Sequence, residues 1–202
     1  MTDAPTATRR RAPKGDKRER TRAALVQAAI ELVREKGFER TTLADVAERV
    51  GMTTGAIYGN FKNRDELFIA VARVRGAPII PRVRPGMSFA EHMAALSEAV
   101  IAAMPQRRDS ALGTLSYQTY ALTHEDIRQH ILASSAEVYR LTAEGLRSMV
   151  PEDQLPMPAD ILVRVLHAMT DGLILKRIMM PELVGDEVIH AAFAAIAGVN
   201  RP

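Results

Sequence analysis

The seven residues Thr54-Gly55-Ala56-Ile57-Tyr58-Gly59-Asn60 combine hydrogen-bonding side chains with residues too small to obstruct a close approach. Read as a short helix, they place Ala56 and Ile57 against a neighbouring element and turn Thr54, Gly55, Tyr58 and Gly59 outward. Thr54, Tyr58 and Asn60 can then donate or accept hydrogen bonds, while the glycines remove bulk that would hold a helix away from a groove. This is chemistry suited to phosphates and base edges of a nucleic-acid duplex. Catalytic chemistry has no comparable constellation. His124 and His130 lie six residues apart, off the i, i+4 spacing of a helical metal-binding pair. Neither a phosphate-binding glycine loop, a dinucleotide fingerprint nor a nucleophile elbow occurs. The residues therefore predict a binding protein, not an enzyme, with no metal and no cofactor.

A recognition surface of this kind needs supports, and the flanking sequence predicts them. Thr42 followed three residues later by Asp45 reads as a capping box opening a short helix from Leu43 to Val50. Gly51 supplies the turn after it, and Thr53 caps the second short helix through Asn60. Val46, Ala47 and Val50 are the apolar positions available to hold the two helices together. Upstream, Leu25, Ala28, Ala29, Leu32 and Val33 fall at helical spacing between Lys17 and Lys36, with Gly37 as the stop. Downstream, Asn63 and Glu66 resemble another cap, opening a helix through Leu67, Phe68, Val71 and Val74.

The charge distribution agrees with a polyanionic partner for this part of the chain. The net +3 of the 202 residues divides into +6 for residues 1–75, with 16 Lys or Arg against 10 Asp or Glu, and −3 for residues 76–202, with 11 against 14. A basic face gains from releasing condensed counterions on nucleic acid, although a solvated charge run gives the same count. Residues 1–16, with Pro5, Pro13, Gly15, Arg9, Arg10, Arg11 and Lys14, read as a flexible basic arm. Its arginines suit either minor-groove and phosphate contact or plain solvation. Cysteine is absent, which excludes disulfides and thiolate metal sites. With no secretory h-region behind the basic start, a cytoplasmic location is expected. The most apolar stretch, residues 161–180, carries Arg164, Asp171, Lys176 and Arg177 and reads as a buried helix, not a membrane span.

Gly76, Pro78, Pro81, Pro85 and Gly86 mark a domain boundary. Beyond it, helical patterns run over roughly 88–104, 110–122, 124–149, 158–180 and 186–198, with Pro105 predicted to separate the first two. The fold class is thus all-α, a three-helix N-terminal domain over residues 17–75 followed by a helical domain over residues 76–202. In the segment 158–180, Ile161, Val165, Ala168, Gly172, Leu175 and Met179 form one apolar stripe, and Leu162, Leu166, Met169 and Leu173 another beside it. A helix apolar over that much of its circumference needs cover on several sides, and the Ala-rich segment 186–199 allows close approach. A homodimer through residues 158–180 and 186–199 follows as an expectation. Tyr117, Tyr120 and His167, set among Leu and Met, are the candidate polar anchors of a small-molecule cavity.

The run Thr41-Thr42-Leu43-Ala44-Asp45-Val46-Ala47-Glu48-Arg49-Val50-Gly51-Met52-Thr53, followed by Ile57-Tyr58-Gly59-Asn60-Phe61-Lys62-Asn63-Arg64-Asp65-Glu66-Leu67, resembles the DNA-binding domain of the TetR family of repressors. The helix-turn-helix itself is bounded at residues 42–61. By this resemblance Thr42, Tyr58, Lys62 and Arg64 contact the phosphate backbone, and Thr54, Gly55 and Gly59 lie nearest the bases. Gly59 departs from the family pattern, in which many members carry a larger aromatic or basic residue there. Base reading then shifts to neighbouring residues, the arm or DNA shape. The resemblance implies a ligand-responsive repressor, a homodimer on a pseudo-palindromic operator, released by a small apolar or amphipathic effector. A nonspecific DNA-packaging protein, or a ligand-sequestering protein without operator binding, are the competing readings.

Overall fold

The computed structural model describes residues 14–75 and 78–198, and the arginine-rich stretch Arg9–Arg11 lies outside them. Every regular element among the described residues is helical: α1 (Lys14–Lys36), α2 (Leu43–Arg49), α3 (Thr54–Tyr58), α4 (Arg64–Arg75), α5 (Phe89–Thr123), α6 (Glu125–Met149), α7 (Ala159–Met179) and α8 (Asp186–Ile196), with a 3-10 turn at Glu152–Gln154. The all-α expectation holds. The chain divides into two compact units, residues 1–74 and 75–202.

In the first unit, α1 turns Leu25, Val26, Ala28, Ala29, Leu32 and Val33 inward at helical spacing. Phe38, Val46, Ile57, Phe61, Leu67 and Phe68 of the same unit are likewise nearly or fully buried. The rings of Phe38 and Phe68 lie tilted at 36° with centroids 3.8 Å apart. Gly37 ends α1 at φ +82°, a left-handed conformation that side-chain-bearing residues rarely adopt.

The second unit packs α5 against α6, α7 and α8, and α6 against α7. Its core draws Phe89, Met93 and Val100 from α5, Ala143 and Leu146 from α6, Leu162, Val163 and Leu166 from α7, and Ile189 and Phe193 from α8. The sequence predicted a break at Pro105, and here the structure differs: Pro105 lies inside the 35-residue α5. An interior proline costs a helix about 3 kcal/mol and leaves the carbonyl four residues back, that of Ile101, without its amide donor. Burial holds the helix on both sides of Pro105, since Val100 is fully buried and Met104 packs against the same core before it and Tyr120 and Ala121 are buried beyond it, and that burial outweighs the local penalty. The boundary at residue 88 is as expected, because Ser88 and Glu91 form a reciprocal capping box.

Candidate nucleic-acid interface and cavity

The geometry that presents α3 is built by two caps and one turn. Thr42 accepts the Asp45 amide at 3.2 Å, and its own backbone N–H donates to the Asp45 carboxylate at 2.7 Å. Lys36 reaches the same carboxylate at 2.7 Å. The Lys36 ammonium and then the Thr42 hydroxyl and amide hold the Asp45 carboxyl at about 2, below its ordinary 3.8. After α2 the Met52 amide donates to the Ala47 carbonyl at 2.8 Å and the Gly51 amide to the Glu48 carbonyl at 3.0 Å. This is a Schellman ending, with Gly51 at φ +69° as its left-handed residue. Thr53 then caps α3, accepting the Ala56 amide at 3.3 Å.

Five residues form α3, so only one can serve as its anchor. Ile57 does so, at 0% exposure, whereas Ala56, expected beside it in the contact, is exposed. Thr54, Gly55 and Gly59 are open to solvent, and Tyr58 is 54% exposed. Asn60 is half-buried, and its side-chain amide donates back to the Ala56 carbonyl at 3.2 Å. That bond closes the helix end with one of the two side-chain N–H groups and leaves the second N–H and the carbonyl oxygen of the amide. A Cβ added at Gly55 would meet nothing within 4 Å. Internal packing therefore does not require a glycine there.

Two arginines missed in the sequence reading brace the far end of α3 from α1. Arg18 donates to the Gly59 carbonyl at 3.4 Å. Arg22 donates to the Asn60 carbonyl, pairs with Glu66 at 3.1 Å and lies 4.0 Å above the Phe61 ring. Cations at a helix C-terminus satisfy its unpaired carbonyls and favour its dipole. The i, i+4 spacing of Arg18 and Arg22 on one face of α1 was the available signal. Glu66 also accepts the Lys62 amide at 2.8 Å, which with Arg22 lowers its carboxyl pKa.

The structure alters the reading of two candidate phosphate ligands. Arg64 turns inward: its Nε donates to the Thr41 carbonyl at 3.0 Å, its terminal nitrogen to the Phe38 carbonyl, and its guanidinium covers the Phe38 and Phe68 rings. These bonds make it a tie between α4 and the α1–α2 turn. The Thr42 hydroxyl donates its only proton to Asp45 at 2.7 Å, so donating to a phosphate requires giving up that bond. Lys62, by contrast, is exposed.

In the second unit a cavity of about 420 Å³ opens among α5, α6, α7 and the segment 78–83. Its wall is mostly apolar, with Met93, Leu96, Val163 and Leu166 accompanied by His92 and His167. The His167 ring lies 4.9 Å edge-on from Tyr139. A smaller cavity of about 220 Å³ lies between α5 and α7, with Arg107 common to both walls. Tyr117 and Tyr120 line neither cavity. Ser110, Thr114 and Gln118 define the face of α5 at the smaller cavity. At 3.6 residues per turn, Tyr117 falls about 60° from the middle of that face and Tyr120 about 120° from it. Tyr120 is buried, stacked on His124 at 3.5 Å. Among the described residues there is no cluster of His, Cys, Asp or Glu able to hold a metal, and no helix is long and apolar enough to cross a membrane.

Comparison with known proteins meets the geometry at the same place. Residues 25–71, from α1 to α4, match the family model of bacterial regulatory proteins, tetR family. The HTH-type transcriptional regulator TtgR of Pseudomonas putida is 29% identical over 181 residues, covering 82% of this chain and 85% of its own. SrpR, another HTH-type transcriptional regulator of Pseudomonas putida, is 23% identical over 143 residues, 71% of this chain and 67% of its own. A transcriptional regulator from Rhodococcus sp. Rha1 shares the fold with a TM-score of 0.65 at 22% identity, over 90% of this chain and all of that one. NalD, the secondary repressor of the MexAB-OprM multidrug efflux pump in Pseudomonas aeruginosa, superposes with a TM-score of 0.55 at 21% identity, over 89% of this chain and 95% of its own.

Proposed function

We propose that this chain, a DNA-binding transcriptional regulator of the TetR family, acts as a homodimeric repressor on a pseudo-palindromic operator and is released by a small apolar or amphipathic effector. The observation that carries the reading is the bare outer face of α3, where Thr54, Gly55, Tyr58 and Gly59 are exposed around one buried anchor, Ile57. On this reading α3 enters the major groove, Thr54 and the open backbone at Gly55 come nearest the bases, and Tyr58 and Lys62 meet phosphates.

One α3 buries little surface for tight specific binding, so a second copy is physically expected. The stripe left uncovered on α7 favours that arrangement: Ile161 is 50% exposed, Met179 64%, and Ala168 and Gly172 lie open between them. Leu162 and Leu166, on the neighbouring stripe, are already buried by their own domain. Ala191 and Ala195 offer small exposed residues on α8. Two copies joined through α7 and α8 place their α3 helices about one DNA turn apart, ~34 Å. A ligand in the larger cavity regulates binding by preferring one dimer geometry over another, and a preference of about 1.4 kcal/mol changes the DNA-competent equilibrium about tenfold.

The test is a salt series of binding isotherms on operator DNA recovered from genomic fragments. Tyr58→Ala and Lys62→Ala are expected to weaken binding, and Lys62→Ala to reduce the slope of log K against log salt by about one. Unchanged affinity and slope in both variants would place the DNA-binding face elsewhere.

A further inference from the structure

One polar atom in the wall of the larger cavity is unaccounted for. His92 is only 6% exposed and its ring lines the cavity. Its Nδ1 sits 2.9 Å from the Ser88 carbonyl one helical turn back. A carbonyl only accepts, so the neutral ring carries its proton on Nδ1 and Nε2 is left as an acceptor. That nitrogen is sealed from solvent and has no hydrogen-bond partner among the described residues. Burying an acceptor without a donor is costly, and native structures pair nearly all such groups. The nitrogen is covered even toward the cavity, and Met93 and Met149 in the same wall have flexible side chains whose displacement would let a ligand reach it.

The one permanent charge in this wall is offset from outside it, so charge does not select an anion. Arg107 is the permanently charged residue among those lining this cavity. Asp171 stands within electrostatic reach of both Arg107 and His167. Asp171 lies in the wall of the smaller cavity, where desolvation raises its carboxyl pKa. Its carboxylate offsets the local positive field.

We infer that the ligand of this cavity is a neutral, largely apolar molecule with one hydroxyl or N–H group, and that this group donates to Nε2 of His92. The inference rests on the effector reading above and supplies its chemistry. A site with a buried acceptor rejects an analogue lacking the matching donor far more sharply than a purely apolar pocket rejects a small change of shape.

Three probes of one shape separate the possibilities: para-pentylphenol, which donates; para-pentylanisole, which cannot; and para-pentylbenzoate, which is anionic. Isothermal titration of the full-length protein without DNA is expected to show the phenol bound about tenfold or more tighter than either other probe. In His92→Phe the phenol should lose affinity until it lies within about threefold of the anisole. His92→Gln, which can restore an acceptor, should recover part of the preference. Circular dichroism checks that both variants fold, and if His92→Phe does not, the wild-type ranking and His92→Gln still decide. Equal binding of phenol and anisole, tightest binding of the benzoate, or a phenol preference that survives His92→Phe each overturns the inference. If no probe binds, the cavity reading falls with it. If the phenol preference depends on His92 but the phenol leaves operator affinity unchanged, the effector role fails while the His92 assignment stands.

Discussion

Gly55 is the clearest residue-scale test of what α3 is for. Because a Cβ there meets nothing in the protein, Gly55→Ala should leave the thermal midpoint unchanged or slightly raised, in line with the 0.5–1 kcal/mol by which alanine typically exceeds glycine inside helices, about the upper limit here. On the proposed docking of α3 the added methyl stands between the helix and the duplex, so operator affinity in a fluorescence-anisotropy titration should fall about tenfold. Retained affinity would show that α3 does not closely approach the duplex. Arg64 calls for the opposite pattern. Arg64→Ala removes bonds to the Phe38 and Thr41 carbonyls and should lower unfolding free energy by about 1.5–3 kcal/mol in urea denaturation. It should leave the salt slope of DNA binding unchanged. This distinction was not legible in the sequence, where Arg64 and Lys62 are near neighbours with the same charge. The carbonyls that claim Arg64 lie 26 and 23 residues earlier, and only the folded chain brings them within reach.

At the scale of elements, the signals that proved readable were local. The Thr42–Asp45 box, the glycine after α2 and the Thr53 cap each act within a few residues, and all three are present. Long-range influences were less legible: packing on both sides of Pro105 carried α5 through it, and burial chose Ile57 over Ala56 as the anchor of α3. The capping box also gives α2 an acid sensitivity whose sign is fixed. The folded-state carboxyl of Asp45 titrates at about 2 against 3.8 for the ordinary group. Its contribution is therefore fully present above about pH 4 and is lost as pH falls toward about 2. Chemical denaturation of Asp45→Asn across that interval should show a shallower loss of stability than the wild type. Parallel curves would mean that the Lys36 and Thr42 contacts contribute nothing to the fold. Thr42→Ala should cost about 1 kcal/mol at neutral pH by removing the cap acceptor.

For the whole molecule, the two stripes read along residues 158–180 meet different fates, one covered by its own domain and one left open. The sequence pattern showed that both needed cover, but one chain's periodicity does not distinguish cover from within and cover from a partner. The double variant Ile161→Glu, Met179→Glu places charges on the open stripe. By analytical ultracentrifugation it should sediment as a monomer with helicity retained, and it should bind operator DNA far more weakly than the wild type. A dimer that survives both charges would exclude α7 as the contact. Pro105 bears on a different property, the time course on which this domain opens. With the Ile101 carbonyl lacking its amide donor, α5 has a fixed place for local opening to begin. Amide protons of residues 106–123 should exchange with deuterated solvent as a separate block from those of residues 89–104. Arg107, shared by both cavities, sits at the inner edge of that block, where brief openings of the helix and the entry of a ligand would use the same motion.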